Sequence, residues 1–179
     1  MNLPIGYQQF HKQNFFNYQM NRLHSLGHAR QSDIKEAAAQ IKTRADYVQA
    51  FVKLAEVAKA DGRLQNAAFY LRAAEFFAEH DSPQRTALYK DFRQTFYRAF
   101  ADANIVRHEI PYRRSFLPVM ELRTPTYPAR GAVLLFGGFD SLIEEFFVIW
   151  RYFAAAGYNV FAFEGPGQGA ARLLYRHAF

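Results

Sequence analysis

Two glycine-rich segments hold the residue types with the clearest potential for chemistry. The first, Gly137-Gly138-Phe139-Asp140-Ser141, directly follows an apolar run at 132–136. Glycines let backbone N–H groups project into a cleft, and such donors near a helix N-terminus stabilise a developing negative charge. A glycine turn that only joins a strand to a helix has the same composition. The Gly-Gly pair alone therefore favours the plain turn over an anion-binding loop.

The second segment, residues 164–169, has the sequence E-G-P-G-Q-G and follows another apolar run at 158–163. Its proline removes one backbone donor and stiffens the turn, which favours a rigid loop over a phosphate cradle. Neither segment has the G-x-G-x-x-G spacing, and the chain has no G-K-[ST] sequence. We therefore expect no nucleotide and no other cofactor.

Nucleophiles and metal ligands are less clearly marked. None of the serines lies in a G-x-S-x-G elbow, and Ser141 has no neighbouring base in the sequence. His24 and His28 are four residues apart, as in half of a metal site, but no H-E-x-x-H pattern accompanies them. Packing or surface histidines are the simpler interpretation. The absence of cysteine excludes disulfides and thiolate ligands. With the two histidines interpreted as packing or surface residues, no metal is expected.

The residues up to Asn104 have helical periodicity. Asp33 with Glu36 and Thr43 with Asp46 have the spacing of capping boxes, and Ser82-Pro83 suits an N-cap followed by the first helical residue. Gly62 stands where a left-handed C-cap is tolerated. The sequence predicts five helices, over 10–26, 33–41, 43–61, 63–79 and 82–103.

The period changes after Asn104. Residues 106–112 and 116–123 alternate as two strands joined by a turn at 113–115. The run at 132–136 predicts a strand buried on both faces, and 142–156 predicts a helix that leads to the strand at 158–163. Strand, helix and strand in this order form a parallel crossover unit. The prediction is an open, mostly parallel α/β sheet.

The order of strand, G-G-F-D-S, helix, strand and E-G-P-G-Q-G resembles the α/β-hydrolase superfamily. More narrowly, it is similar to the branch of 2,6-dihydropseudooxynicotine hydrolase and the fermentation–respiration-switch-like esterases. That branch carries a helical cap ahead of the hydrolase sheet. The resemblance implies an all-helical cap domain over residues 1–104. Residues 105–179 would be the N-terminal part of an α/β-hydrolase domain, truncated before the nucleophile strand.

The resemblance also implies roles for both glycine segments. The loop after the third strand would supply an oxyanion-hole donor, here the backbone N–H of Gly138 or Phe139. The second segment would be a structural loop beside the cleft: Glu164, Gly165, Pro166, Gly167, Gln168 and Gly169. Glu164 stands where the family usually has Asp. By family order the nucleophile, acid and histidine all come later, so we expect residues 1–179 alone to lack triad hydrolysis.

Two functions follow as alternatives. One is the N-terminal fragment of a capped serine hydrolase that acts on an ester, an amide or an activated C–C bond. The other is a non-enzymatic helical interaction module, because residues 55–77 look like one tetratricopeptide-type helix pair. A solenoid needs at least three repeats for stability, and one clear copy is present.

The amino-acid composition limits the classes of partner that this chain is expected to bind. The chain has 22 basic and 16 acidic residues, and the +6 excess forms no block of like charges, so nucleic acid is not expected. The apolar runs are short and residues 1–14 contain no signal-like stretch, so we expect no membrane association and a cytoplasmic protein. The full-length enzyme would take a small-molecule substrate. An uncovered strand edge, with Val133, Leu135, Val160 and Phe161 exposed, predicts a marginally stable chain, a homo-oligomer or a fragment of a larger product.

Overall fold

A computed structural model describes residues 6–178 of the 179-residue chain. The chain divides into two compact units between Phe100 and Ala101. The first is referred to below as the helical unit and the second as the strand unit. In the described part of the chain, no helix combines the length and apolar character needed to cross a bilayer.

Within residues 6–100 the helical unit contains five helices, as the periodicity predicts. They are α1 (Asn14–Ser25), α2 (Gln31–Ala38), α3 (Arg44–Ala60), α4 (Leu64–Phe77) and α5 (Pro83–Ala99). Helix α4 packs against both α3 and α5, and most of its side chains are buried. The alanines at 67, 68 and 74 let the neighbouring helices approach closely. Aromatic rings from several helices fill the space around α4: Phe51, Phe69, Tyr70, Phe92 and Phe96.

Two of the three predicted helix starts are confirmed. Thr43 and Asp46 form a reciprocal capping box, and the Ser82 hydroxyl accepts a hydrogen bond from the Arg85 backbone. The prediction that Asp33 opens α2 is wrong, because that helix begins at Gln31. The Asp33 carboxylate instead accepts hydrogen bonds from Arg63 and from the Tyr70 hydroxyl, at 3.0 and 2.8 Å. A tertiary contact has taken the place of the predicted cap.

Removing the cap of α3 is expected to destabilise the helical unit. Thr43 Oγ1 accepts from the Asp46 backbone at 3.1 Å, and Asp46 accepts from the Thr43 backbone at 2.9 Å. We expect Thr43→Ala to lower the free energy of unfolding by about 1 kcal/mol. Thr43→Ser keeps the hydroxyl, so its loss in the free energy of unfolding should be only a few tenths of the loss in Thr43→Ala. Urea unfolding followed by circular dichroism at 222 nm measures both, and equal losses would contradict the capping role.

Over residues 101–178 the strand unit consists of a four-stranded sheet and two helices. Its elements are β1 (Ile105–Tyr112), β2 (Ser115–Leu122), β3 (Gly131–Phe136), α6 (Phe147–Ala155), β4 (Tyr158–Phe163) and α7 (Gly169–Leu173). The order in the sheet is β1-β2-β4-β3. The predicted hairpin is confirmed, with Tyr112 opposite Ser115, and β3 pairs with β4 in parallel as the crossover pattern predicts.

The sheet is less parallel than expected. Among the four described strands, β2 is antiparallel to both of its neighbours, so the β3–β4 pair is the single parallel one. The helix between these strands is also shorter than predicted, since it begins at Phe147 and not at Leu142. Residues 143–146 form turns, and Leu142 and Ile143 are buried ahead of the helix.

Strand β3 is not buried on both faces. It lies at the end of the described sheet, and its Leu134 and Phe136 side chains are 70% and 68% exposed. The prediction that Val133, Leu135, Val160 and Phe161 are exposed is wrong. Val160 is fully buried, and the other three side chains are half-buried. A continuous apolar run does not specify which alternate side chains have a neighbour, and that ambiguity accounts for the error.

Candidate functional site

The two glycine-rich segments begin side by side. Strands β3 and β4 pair in register and end level, with Phe136 opposite Phe163. The segment after each strand therefore leaves the same edge of the sheet. We name residues 137–143 the Gly-Gly loop and residues 164–169 the glycine turn.

Gln168 joins the two segments through its side-chain amide. Its Nε2 donates to the carbonyl oxygens of Gly137 and Gly138, at 2.9 and 3.0 Å. Its Oε1 accepts from the backbone N–H of Gly165 at 2.9 Å. Both ends of the amide are occupied, so the network itself distinguishes the oxygen from the nitrogen. One side chain thus connects the start of the Gly-Gly loop to the glycine turn.

Glu164 makes a second connection, to the far end of the Gly-Gly loop. Its carboxylate is 2% exposed and accepts hydrogen bonds from the backbone N–H groups of Ala170, at 2.6 Å, and Ile143, at 3.3 Å. Trp150 holds the same region, because its indole N–H donates to the Ile143 carbonyl at 2.7 Å. The Gly-Gly loop is therefore anchored at both ends.

Gly137 is required by a close approach within the loop. A Cβ at this position would lie 2.6 Å from Ser141 Cβ, whereas one at Gly138 would meet only Ser141 Oγ, at 3.5 Å. The Ser141 backbone donates to the Gly138 carbonyl at 3.3 Å, and the serine side chain is buried. Ser141 is thus part of the packing of the loop.

The remaining predicted site residues occupy distinct places. The Phe139 side chain is 65% exposed, so its backbone is the part that belongs to the loop structure. Gly167 has a positive φ of 84° and donates to the His177 carbonyl at 2.9 Å. Gly169 also has a positive φ, and a Cβ there would overlap the Glu164 carboxylate. Pro166 lies between Gly165 and Gly167 in the turn.

His24 and His28, the two histidines four residues apart in the sequence, both pack against aromatic rings. His28 stacks on Phe69 with ring centroids 3.4 Å apart, and His24 meets Phe10 edge-on at 5.5 Å. Over residues 6–178 the structure contains no group of three or more His, Cys, Asp or Glu side chains placed to hold a metal ion.

Sequence analysis missed an ionic cluster on the hairpin. Glu121 of β2 is buried, and it accepts from Arg123 at 2.8 Å and lies 2.7 Å from His108 Nε2 on the adjacent strand. The hydrogen bond from Arg123, and then that from His108, hold the pKa of Glu121 below its ordinary value despite its burial. The cross-strand register that joins His108 to Glu121 is not visible in local spacing.

A second missed feature is a groove in the helical unit with a volume of about 660 Å³. Aromatic rings of Phe15, Phe76 and Phe77 form part of its lining, together with the charged side chains of Arg44 and Arg85. Beside it, the buried Glu75 carboxylate accepts from Arg72 and, at 2.7 Å, from Arg85. The signal available in the sequence was the oppositely charged pair Arg72 and Glu75, three residues apart within the apolar second half of α4.

The known proteins that this chain resembles in sequence are hydrolases. No family model matches the chain. The chain is 38% identical to 20-hydroxy-prefusarin hydrolase FUS2 of Gibberella moniliformis over an alignment of 119 positions, gaps included, that covers 58% of this chain and 27% of the relative. It is 32% identical to hydrolase LUC6 of Fusarium sp. over an alignment of 194 positions, gaps included, that covers 87% of this chain and 44% of the relative.

Solved structures agree on the fold. AbyA5 superposes with a TM-score of 0.66 at 20% identity, over 83% of this chain and 48% of that protein. The 2,6-dihydroxy-pseudo-oxynicotine hydrolase superposes with a TM-score of 0.59 at 23% identity, over 84% of this chain and 46% of that protein. The matches span less than half the length of each relative. The chain is thus related to the α/β-hydrolases and carries part of their fold, with helices ahead of the first strands of the sheet.

Proposed function

We propose that this chain contributes the helical region and the oxyanion loop to a serine hydrolase that acts on a small organic substrate. The bond attacked is an ester, an amide or an activated C–C bond next to a carbonyl. One observation carries the proposal: the Gly-Gly loop is held at the end of a parallel strand pair by the Gln168 amide. The hydrolase relatives support the same conclusion.

The proposed chemistry places the Gly-Gly loop against a developing negative charge. Attack of a serine Oγ on the substrate carbonyl carbon moves an electron pair onto the carbonyl oxygen. The backbone N–H groups of Gly138 and Phe139 are the proposed donors to that oxygen. A donor of this kind contributes about 3–4 kcal/mol of transition-state stabilisation. The nucleophile is proposed to come from outside residues 1–179, because none of their serines lies in a G-x-S-x-G elbow.

Removing one backbone donor tests the proposal. In the intact gene product that contains these residues, we expect Phe139→Pro to lower kcat for a p-nitrophenyl ester by about 100-fold, with little change in KM. Proline lacks the N–H group, whereas the matched variant Phe139→Ala keeps it and loses only an exposed ring. Phe139→Ala should stay within about threefold of the wild type. Steady-state kinetics measures all three proteins.

Two results would contradict the proposal. Equal losses in Phe139→Pro and Phe139→Ala would show that the ring, and not the backbone donor, matters. Turnover by residues 1–179 alone that disappears in Ser141→Ala would assign the nucleophile to the loop itself.

A helical interaction module remains the second candidate, favoured by the helix pair α3 and α4. These helices pack closely through small buried residues such as Ala55, Ala58 and Ala67. Under this alternative the intact product would show no esterase activity, so Phe139→Pro would have nothing to abolish. The wild-type assay alone therefore separates the two functions.

A further inference from the structure

We infer that Gln168 is a positioning residue that fixes two successive peptide groups so that their backbone N–H groups, those of Gly138 and Phe139, face away from it, on the side where the oxyanion is proposed to form. The inference rests on the proposed function and extends it, because it assigns a role to a side chain in the glycine turn. Gln168 itself does not touch the substrate in this arrangement. It acts through the two peptide groups that its amide holds.

The direction of the N–H groups follows from the direction of the carbonyls. Within residues 6–178 the Tyr127–Pro128 bond is the one cis peptide, so the peptides joining 137 to 138 and 138 to 139 are trans. In a trans peptide the C=O and the N–H of the same plane point in opposite directions. Both carbonyls point at Gln168 Nε2. Both N–H groups therefore point away from Gln168, and the Gln168 contacts fix the directions in which they can donate.

The arrangement is fixed before any substrate arrives. Gln168 Oε1 is held by the Gly165 N–H, so the amide cannot turn over without losing three hydrogen bonds. The Gly138 carbonyl also accepts from the Ser141 backbone, at 3.3 Å, so that peptide is held by two donors. Donors that need no reorientation during the reaction are the ones that stabilise a transition state most.

Glutamine is the side chain that this geometry requires. Its NH₂ group supplies two donors to two carbonyls, and its oxygen accepts the Gly165 N–H. A glutamate of the same shape would set a carboxylate oxygen against both carbonyls. An asparagine would be one carbon too short to span the two segments.

Gln168→Glu in the intact gene product tests the inference. We expect kcat to fall about 10- to 100-fold, with KM unchanged within twofold. The residues that contact the substrate remain in place, whereas the backbone N–H groups of Gly138 and Phe139 lose the orientation that Gln168 gives them. Gln65→Glu makes the same chemical change on an exposed helix surface and should leave kcat unchanged. Selective ¹⁵N labelling of glycine and phenylalanine gives a second readout, and the Gly138 and Phe139 amide resonances should shift only in Gln168→Glu.

Acid rescue separates positioning from a general loss of structure. A protonated glutamate at 168 can donate one hydrogen bond, so the two resonances should return toward their wild-type positions as the pH falls through the carboxyl pKa, near 4.3 in an unperturbed side chain. A variant that had merely lost structure would not recover in acid. Unshifted resonances, or shifted ones that do not recover, would overturn the inference.

The activity data distinguish the inference from the proposed function. Unchanged kcat in Gln168→Glu, with a large loss in Phe139→Pro, would overturn the role of Gln168 and leave the proposed function standing. No hydrolysis by the wild type would overturn the proposed function and the inference with it. A selective loss of kcat in both variants supports both.

Discussion

Replacing Gly169 with alanine is expected to lower the free energy of unfolding of the strand unit by about 2–5 kcal/mol, the sum of backbone strain and overpacking. Gly169 has a φ of +33°, and its new Cβ would overlap the Glu164 carboxylate. That carboxylate has little freedom to move, because it is buried and bound to the Ala170 and Ile143 backbones. Trp150 is the only tryptophan in the sequence and is 7% exposed, so its fluorescence during urea unfolding reports on this unit.

Two further glycine variants separate the contributions. Gly62 has a φ of +72°, and there is open space around the position of an added Cβ. Gly62→Ala should therefore lower the free energy of unfolding only by the backbone strain, about 1–2 kcal/mol. Gly165→Ala, in the same turn as Gly169, has no positive φ and meets only Gln168 Oε1, at 3.6 Å. It should be nearly neutral. If Gly169→Ala were no worse than Gly62→Ala, the Glu164 anchor would not be rigid.

Glu75→Gln is expected to destabilise the helical unit by about 3–5 kcal/mol, since it removes the charge that balances a buried guanidinium. Glu75 is 1% exposed and Arg72 is 2% exposed, and Arg85 also donates to Glu75 at 2.7 Å. The neutral amide would leave the Arg72 charge in the interior without this carboxylate. Urea unfolding followed at 222 nm measures the loss.

Asp91→Asn is the matched control for the ion pair. Asp91 accepts from Lys59 at 2.7 Å, but the two side chains are 43% and 35% exposed. An ion pair in contact with water contributes about 1 kcal/mol or less. A double variant, Arg72→Met with Glu75→Leu, should recover much of the stability lost in Glu75→Gln, because it removes both buried charges together. Equal effects of Glu75→Gln and Asp91→Asn would refute the argument from burial.

Local signals predicted the elements whose causes are local. The capping box of Thr43 and Asp46 involves residues three apart, and the Ser82-Pro83 start involves adjacent ones, so both could be found by spacing. The strands around the Arg113-Arg114 turn were predicted for the same reason. Asp33 had the same local signal as Thr43, yet its carboxylate binds Arg63 and Tyr70 from other elements. Tertiary partners decide such cases, and spacing does not reveal them.

The candidate site shows the same division. The glycine composition identified both segments, and the resemblance to α/β-hydrolases suggested Gly138 and Phe139 as donors. The contact that joins the segments lies beyond local pattern, because Gln168 is 30 residues from Gly138 along the chain. It depends on the register of β3 against β4, which alternation leaves open. The exposed alternate side chains of β3 were mispredicted for a related reason, since burial depends on which strands and helices lie beside it.

The level ends of β3 and β4 also limit where this chain tolerates changes in length. A strand advances about 3.3 Å per residue, and each added residue reverses the direction of the side chains that follow. A single insertion in either strand would carry the Gly137 carbonyl beyond the reach of Gln168 Nε2, which now lies 2.9 Å away. Insertions and deletions that preserve the loop must therefore fall outside both strands and the glycine turn. The segment between β2 and β3 has no such tie to the loop and is the place where added residues would do least harm.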